Sequence, residues 1–102
     1  MLGFRTYLYV FARFKIKTLR SDAKEKDFFH FLSMLEDGKG DVLDIGANLG
    51  IMTVHLAQKL PNTTVHAIEP IPDNISVLKR IIQHFGLKKI KVHEVAVGET
   101  EG

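Results

Sequence analysis

The segment Val42-Leu43-Asp44-Ile45-Gly46-Ala47-Asn48-Leu49-Gly50 joins a short apolar run to an amphipathic stretch through a turn holding two glycines. A strand, a glycine turn and a helix in that order bury their apolar surfaces when the helix folds back over the strand, which commits the chain to an α/β arrangement. The same alternation repeats downstream. Residues 63–68 are β-branched and apolar, Pro70 and Pro72 stiffen the loop that follows, and Ile75, Leu78, Ile82 and Phe85 recur at helical spacing up to Gly86. Residues 89–97 read as a third strand.

A helix is expected after each of these turns. Residues 50–60 should form one, with Ile51, Val54 and Ala57 inward; residues 74–85 should form another, with Asn74 as its cap. Upstream, residues 23–36 carry Phe28, Phe31, Leu32 and Leu35 on one helical face, closed by Gly38 and Gly40. The order α-α-β-α-β-α-β predicts a parallel sheet with right-handed crossovers. At 102 residues the chain is one domain at most, with residues 1–40 as a helical segment and 41–102 as the α/β part.

The first twenty residues stand apart in charge. They hold Arg5, Arg13, Lys15, Lys17 and Arg20 and no acid, which leaves nine basic against twelve acidic residues in the remainder. The pI of 9.0 therefore belongs to this segment and gives no support for a nucleic-acid partner. Phe4, Tyr7, Leu8, Phe11 and Phe14 fall on one face of a helix, with Arg5, Arg13, Lys17 and Arg20 broadly opposite and Lys15 out of pattern. Two readings follow: a helix docked through its aromatic face on the domain or on a missing part of it, or a helix lying on an anionic membrane surface. Arg5 and Arg13 interrupt the apolar run too early for a spanning helix, and there is no uninterrupted apolar core of a signal peptide, so a cytoplasmic location is expected. With no cysteine and five histidines in no metal-ligand spacing, nothing points to a metal.

In an open α/β sheet, ligands bind beyond the carboxyl ends of the strands, where Asp44, Gly46, Asn48, Gly50 and Glu69 gather. Gly46 can adopt a backbone conformation closed to other residues and lets a ligand approach the main chain. Gly50 permits close packing of helix against strand, and Asn48 tolerates a left-handed conformation in place of a glycine. A phosphate loop would avoid Asp44 beside its glycines, and no GxxxxGK[ST] run is present. The dinucleotide pattern GxGxxG would need glycine at 46, 48 and 51, where the chain has Gly46, Asn48 and Ile51. A ligand with a cationic end and a ribose, and no phosphate, fits better. S-adenosylmethionine (SAM) has that form, with Asp44 near its methionine end and Glu69 accepting from the ribose hydroxyls.

These residues resemble the FkbM family of SAM-dependent methyltransferases. VLDIGANLG is similar to that family's D-x-G-x-N-x-G loop, AIEPIPDN to its E-P-x-P-x-N segment, and EVAVGETEG to the segment at its third strand. The resemblance implies the Rossmann-like methyltransferase fold and places Asp44, Gly46, Ala47, Asn48 and Gly50 in the SAM loop. It makes Glu69 the ribose acid and sets Ile71 and Val97 at the adenine. It implies methyl transfer to a hydroxyl of a sugar or natural product, so the expected partner is a small-molecule or glycan acceptor. A complete enzyme of this type has about seven strands; this sequence is expected to be a truncated form or fragment carrying the SAM-binding half, with Val42–Ile45 open along one edge. A nicotinamide-dinucleotide binder and a non-catalytic interaction module are the competing readings.

Overall fold

The computed structural model describes residues 3–21 and 25–95, Arg20 by its backbone alone. Its elements are α1 (Phe4–Thr18), a 3-10 turn (Leu19–Ser21), α2 (Lys26–Ser33), β1 (Val42–Ile45), α3 (Ile51–Lys59), β2 (Val65–Ile68), α4 (Pro72–His84) and β3 (Ile90–His93). The three strands form one parallel sheet in the order β1-β2-β3. Val42, Val65 and Ile90 lie in register at its start, and Ile45, Ile68 and His93 at its end.

The pleat sorts each strand into two faces. Val42, Asp44, Val65, Ala67, Ile90 and Val92 turn toward α3 and α4, where Leu56 packs on Val65 and Leu78 on Ala67. The other face carries no helix among the described residues. Leu43 and Ile45 are 61% and 59% exposed there, as expected for a first strand without a neighbour on its outer side. Across the same face Asp41, His66 and His93 form a chain: His66 Nε2 lies 2.8 Å from the Asp41 carboxylate and His66 Nδ1 lies 2.9 Å from His93 Nε2.

The largest departure from the sequence reading is the face on which α1 docks. Tyr9, Ala12 and Ile16 are buried against Val54 of α3 and Val77 and Ile81 of α4. Phe4, Tyr7, Phe11 and Phe14, the expected contact face, point outward; only Leu8 of that set packs against the core. The cause is that α1 carries apolar residues on two opposite sides with its cations mostly between them, so spacing supports two stripes. Ala12 lets the helix approach closely, and the ring of Tyr9 takes the Arg80 guanidinium at 3.9 Å. The core selects the stripe with the small residue at its centre.

Other departures are smaller. Helix α3 is covered on several sides: Val54 packs under α1, Thr53 bonds Asp44 of β1, His55 meets Phe29, and Leu56 packs with Leu32 and Val65, while Ile51 and Ala57 are only half-buried. Helix α4 buries Val77 and Ile81 under α1 beside Ile75 and Leu78. Helix α2 is shorter than expected, and Phe31 is exposed along a groove beside β1 while Phe29 packs edge-on against His55 at 5.1 Å. Strands β2 and β3 begin later than expected, and α4 starts at Pro72, where a proline's missing N–H is not needed. The loop after α2 is fastened by Asp37, which accepts from the backbone N–H and side-chain amide of Asn62 and from Thr63 Oγ1.

Candidate functional site

Three residues in alternation bend the chain between β1 and α3. Gly46, Asn48 and Gly50 have φ of 68°, 52° and 89°, so the asparagine does take a left-handed conformation between two glycines. The loop is tied to the next strand by the N–H groups of Gly46 and Ala47, which both donate to the Ile68 carbonyl at 2.9 and 3.1 Å. The two glycines differ in their surroundings. A Cβ on Gly46 would meet nothing within 4 Å, whereas one on Gly50 would lie 2.7 Å from Leu78 Cδ1. Gly50 therefore serves packing against α4, not against the strand as expected, while Gly46 leaves clear space above the main chain.

Glu69 follows β2 and is 1% exposed. Its Oε1 accepts the Asn48 N–H at 2.8 Å, and its Oε2 accepts the Ile71 N–H at 3.1 Å and the Asn74 side-chain amide at 3.2 Å. A buried carboxylate stable in this position needs such donors. Asn74 is thus not the helix cap: Ile71 occupies that position without a side-chain bond, and Asn74 instead orients Glu69 from the first turn of α4.

Asp44 ends up on the helix-covered face of β1, where Thr53 Oγ1 of α3 donates to its Oδ2 at 2.5 Å. Burial raises its carboxyl above the ordinary value, and the Thr53 hydrogen bond pulls the other way without cancelling it. No side chain caps α3, so the N–H groups of its first turn lie beside the same loop. A cleft of about 200 Å³ opens there, with Asp44, Gly46, Ala47 and Asn48 on one wall and Lys15 and Glu25 of the N-terminal segment on another. A second groove of about 570 Å³ runs from Asp44 and Met52 along β1 to Phe31.

The structure thus brings together Asp44, Gly46, Ala47, Asn48, Gly50 and Glu69. Ala47 does so through its backbone, since its side chain packs with Ala67 and Leu78. Ile71 stands 51% exposed at the start of α4, and Val97 lies outside the described residues. Sequence reasoning missed Thr53, although a hydroxyl in the first turn after Gly50 is a readable signal for a partner to Asp44. Nothing in the spacing pointed to Lys15 or Glu25, whose place depends on how α1 docks. Small-molecule pockets usually occupy about 300–1,000 Å³, so the loop cleft alone accommodates part of a ligand.

No family model matches the chain. Among curated proteins it is similar to Methyltransferase 1 of Beauveria bassiana, 27% identical over 60 residues, and to the release factor glutamine methyltransferase of Escherichia coli, 30% identical over 61 residues. These matches cover 59% and 60% of this chain but only 24% and 22% of the relatives, so the chain spans about a quarter of their length. Among solved structures, a SAM-dependent methyltransferase from Aquifex aeolicus superposes with a TM-score of 0.62 at 22% identity, over 84% of this chain and 48% of that one. Coclaurine N-methyltransferase, in complex with N-methylheliamine and SAH, gives 0.63 at 25% identity over 74% and 22%. The described residues have the Rossmann-like fold of SAM-dependent methyltransferases.

Proposed function

We propose that this chain is the SAM-binding part of a SAM-dependent methyltransferase of the FkbM type, acting on a hydroxyl of a small-molecule or glycan acceptor. The observation that carries the reading is the junction of Glu69 with the Gly46–Gly50 loop, beside the desolvated carboxylate of Asp44. A raised, partly buried carboxylate is suited to a cationic ligand, whose charge would restore the ionised form. The clear space above Gly46 admits a ligand to the main chain.

In this reading Asp44 holds the methionine end, and the N–H groups at the start of α3 lie within the same cleft. Glu69 binds the ribose hydroxyls. As folded, its two oxygens already take three protein hydrogen bonds, so a ribose engages it by displacing one of these or by drawing the side chain outward. Ile71, and Val97 beyond the described residues, flank the adenine. SAM supplies an electrophilic methyl group when bound. The chain's own residues contribute position and exclusion of water around that group, which is the larger part of such a transfer. Assignment to oxygen and to sugars or natural products rests on the resemblance of the three motifs.

Isothermal titration of the chain with SAM, with its demethylated product SAH, and with NAD tests the proposal. Heat with SAM and SAH and none with NAD is expected; absence of heat with both sulfur ligands overturns it. A second reading, a non-catalytic interaction module, draws on the bare face of Leu43 and Ile45. It predicts self-association or partner capture that serine at both positions abolishes, with SAM having no effect.

A further inference from the structure

We propose that the outward face of α1 docks on an anionic phospholipid surface, a role independent of the cofactor reading. Val10, Phe14, Tyr7, Phe11 and Phe4 follow one another around the side of α1 opposite Tyr9, Ala12 and Ile16, and all five are exposed. Tyr7 is 60% and Phe14 62% accessible. A monomeric surface seldom gathers so many large apolar groups without an occupant.

Charge decides which occupant. On the helical wheel Arg13 and Lys17 border this arc on one side and Lys15 on the other, and residues 1–20 contain no acid. Of the acids on neighbouring elements, Asp73 is engaged by Arg5 at 2.8 Å, and Glu25 stands with Lys15 in the loop cleft. A second copy would set this basic helix against itself, whereas an anionic bilayer accepts the rings between the headgroups and the cations at the phosphates. At the end of the arc a cleft of about 480 Å³ is walled by Val10, Phe14, Ile16 and Phe85 and rimmed by Arg13, Lys17 and His84. An apolar floor with a cationic rim complements an anionic amphiphile. No helix among the described residues is long and apolar enough to cross a membrane, so the contact is along the surface. The bare face of the sheet lies on the opposite side and is not part of it.

Flotation of the full chain with vesicles tests this. Binding is expected to vesicles of phosphatidylcholine with about one third phosphatidylserine, and much less to phosphatidylcholine alone. Each cation near such a surface contributes about fivefold, so Arg13→Glu with Lys17→Glu should weaken binding at least about twentyfold. Phe11→Ser with Phe14→Ser should abolish it, with circular dichroism melts unchanged because both rings are outside the core. Leu43→Ser with Ile45→Ser should leave it intact. A Phe14→Trp variant, in a chain that has no other tryptophan, should show blue-shifted emission on the anionic vesicles only. The proposal is overturned by equal binding to both vesicle types, by full binding in the charge-reversal variant, or by loss of binding in the sheet-face variant. It is overturned equally by a dimer in sedimentation that the Phe11 and Phe14 changes dissolve, which would assign the face to a second copy.

Discussion

Glu69 Oε1 accepts the backbone N–H of Asn48 at 2.8 Å, so the carboxylate after β2 holds in place the loop after β1. The bond crosses between the two strand ends at which an open α/β sheet builds its ligand site. It also couples two roles. The residue proposed to meet the ribose is the one that keeps the glycine-rich loop in its left-handed path.

Replacing Glu69 by glutamine tests that coupling. Three N–H donors converge on the carboxylate, and a carboxamide presents a donor of its own to at least one of them. A cost of about 1–3 kcal/mol in urea unfolding is expected. SAM affinity should fall about tenfold or more in calorimetry, since the amide accepts at one atom only. Full affinity in a destabilised variant would remove Glu69 from the ligand's contacts.

Asp44→Asn is expected to separate stability from binding. Burial raises the Asp44 carboxyl above its ordinary 3.8, so the fold favours the protonated form. Its stabilising contribution is full below the unfolded-state value and is lost as pH rises through the higher folded value. At neutral pH the ionised group is therefore a net cost. The asparagine variant, which still accepts from Thr53, should be more stable than the parent at pH 7, with the advantage vanishing below about pH 4. SAM binding should weaken in the same protein. Urea melts at the two pH values and one titration check both halves.

The two loop glycines should respond differently to alanine. At Gly46 a methyl group meets only left-handed strain, about 1–2 kcal/mol. At Gly50 it must also displace Leu78 Cδ1 from 2.7 Å within a core where Leu78 is fully buried, adding about 1–3 kcal/mol of overpacking. Urea unfolding should therefore rank Gly50→Ala as the more destabilised. Titration with SAM should rank the folded Gly46→Ala protein well below the parent, because its methyl group fills the ligand's approach.

How far the sequence revealed all this depends on the kind of signal. The Asp44–Gly50 turn and Glu69 were legible because positive φ and buried charge demand particular residue types at particular places. Parallel strands followed from the alternation of apolar runs with helical spacing. Asn74 misled because a cap and a carboxylate partner use the same side chain at the same helix end. The docking face of α1 was illegible for a different reason: with Phe4, Tyr7, Phe11 and Phe14 on one side and Tyr9, Ala12 and Ile16 on the other, spacing offers two stripes. The choice between them is made by the shape of the groove between α3 and α4, which exists only after folding.

That choice yields the final prediction. Ile16 packs with Val54 and Ile81, so Ile16→Ala should cost about 2–5 kcal/mol in urea unfolding through lost contacts and a residual cavity. Phe14, two residues away and 62% exposed, should lose less than about 0.5 kcal/mol on the same change to alanine. The sequence periodicity alone would assign the larger cost to the phenylalanine. Because Phe14 and Ile16 both line the cleft beside Phe85, a double variant should lose at least the Ile16 cost, and any departure from the sum of the two single costs measures their coupling through that cleft. Equal costs at the two positions would mean that α1 docks through its aromatic face after all, and Tyr9→Ala would then be silent where the packing on Arg80 and Ala12 requires a loss.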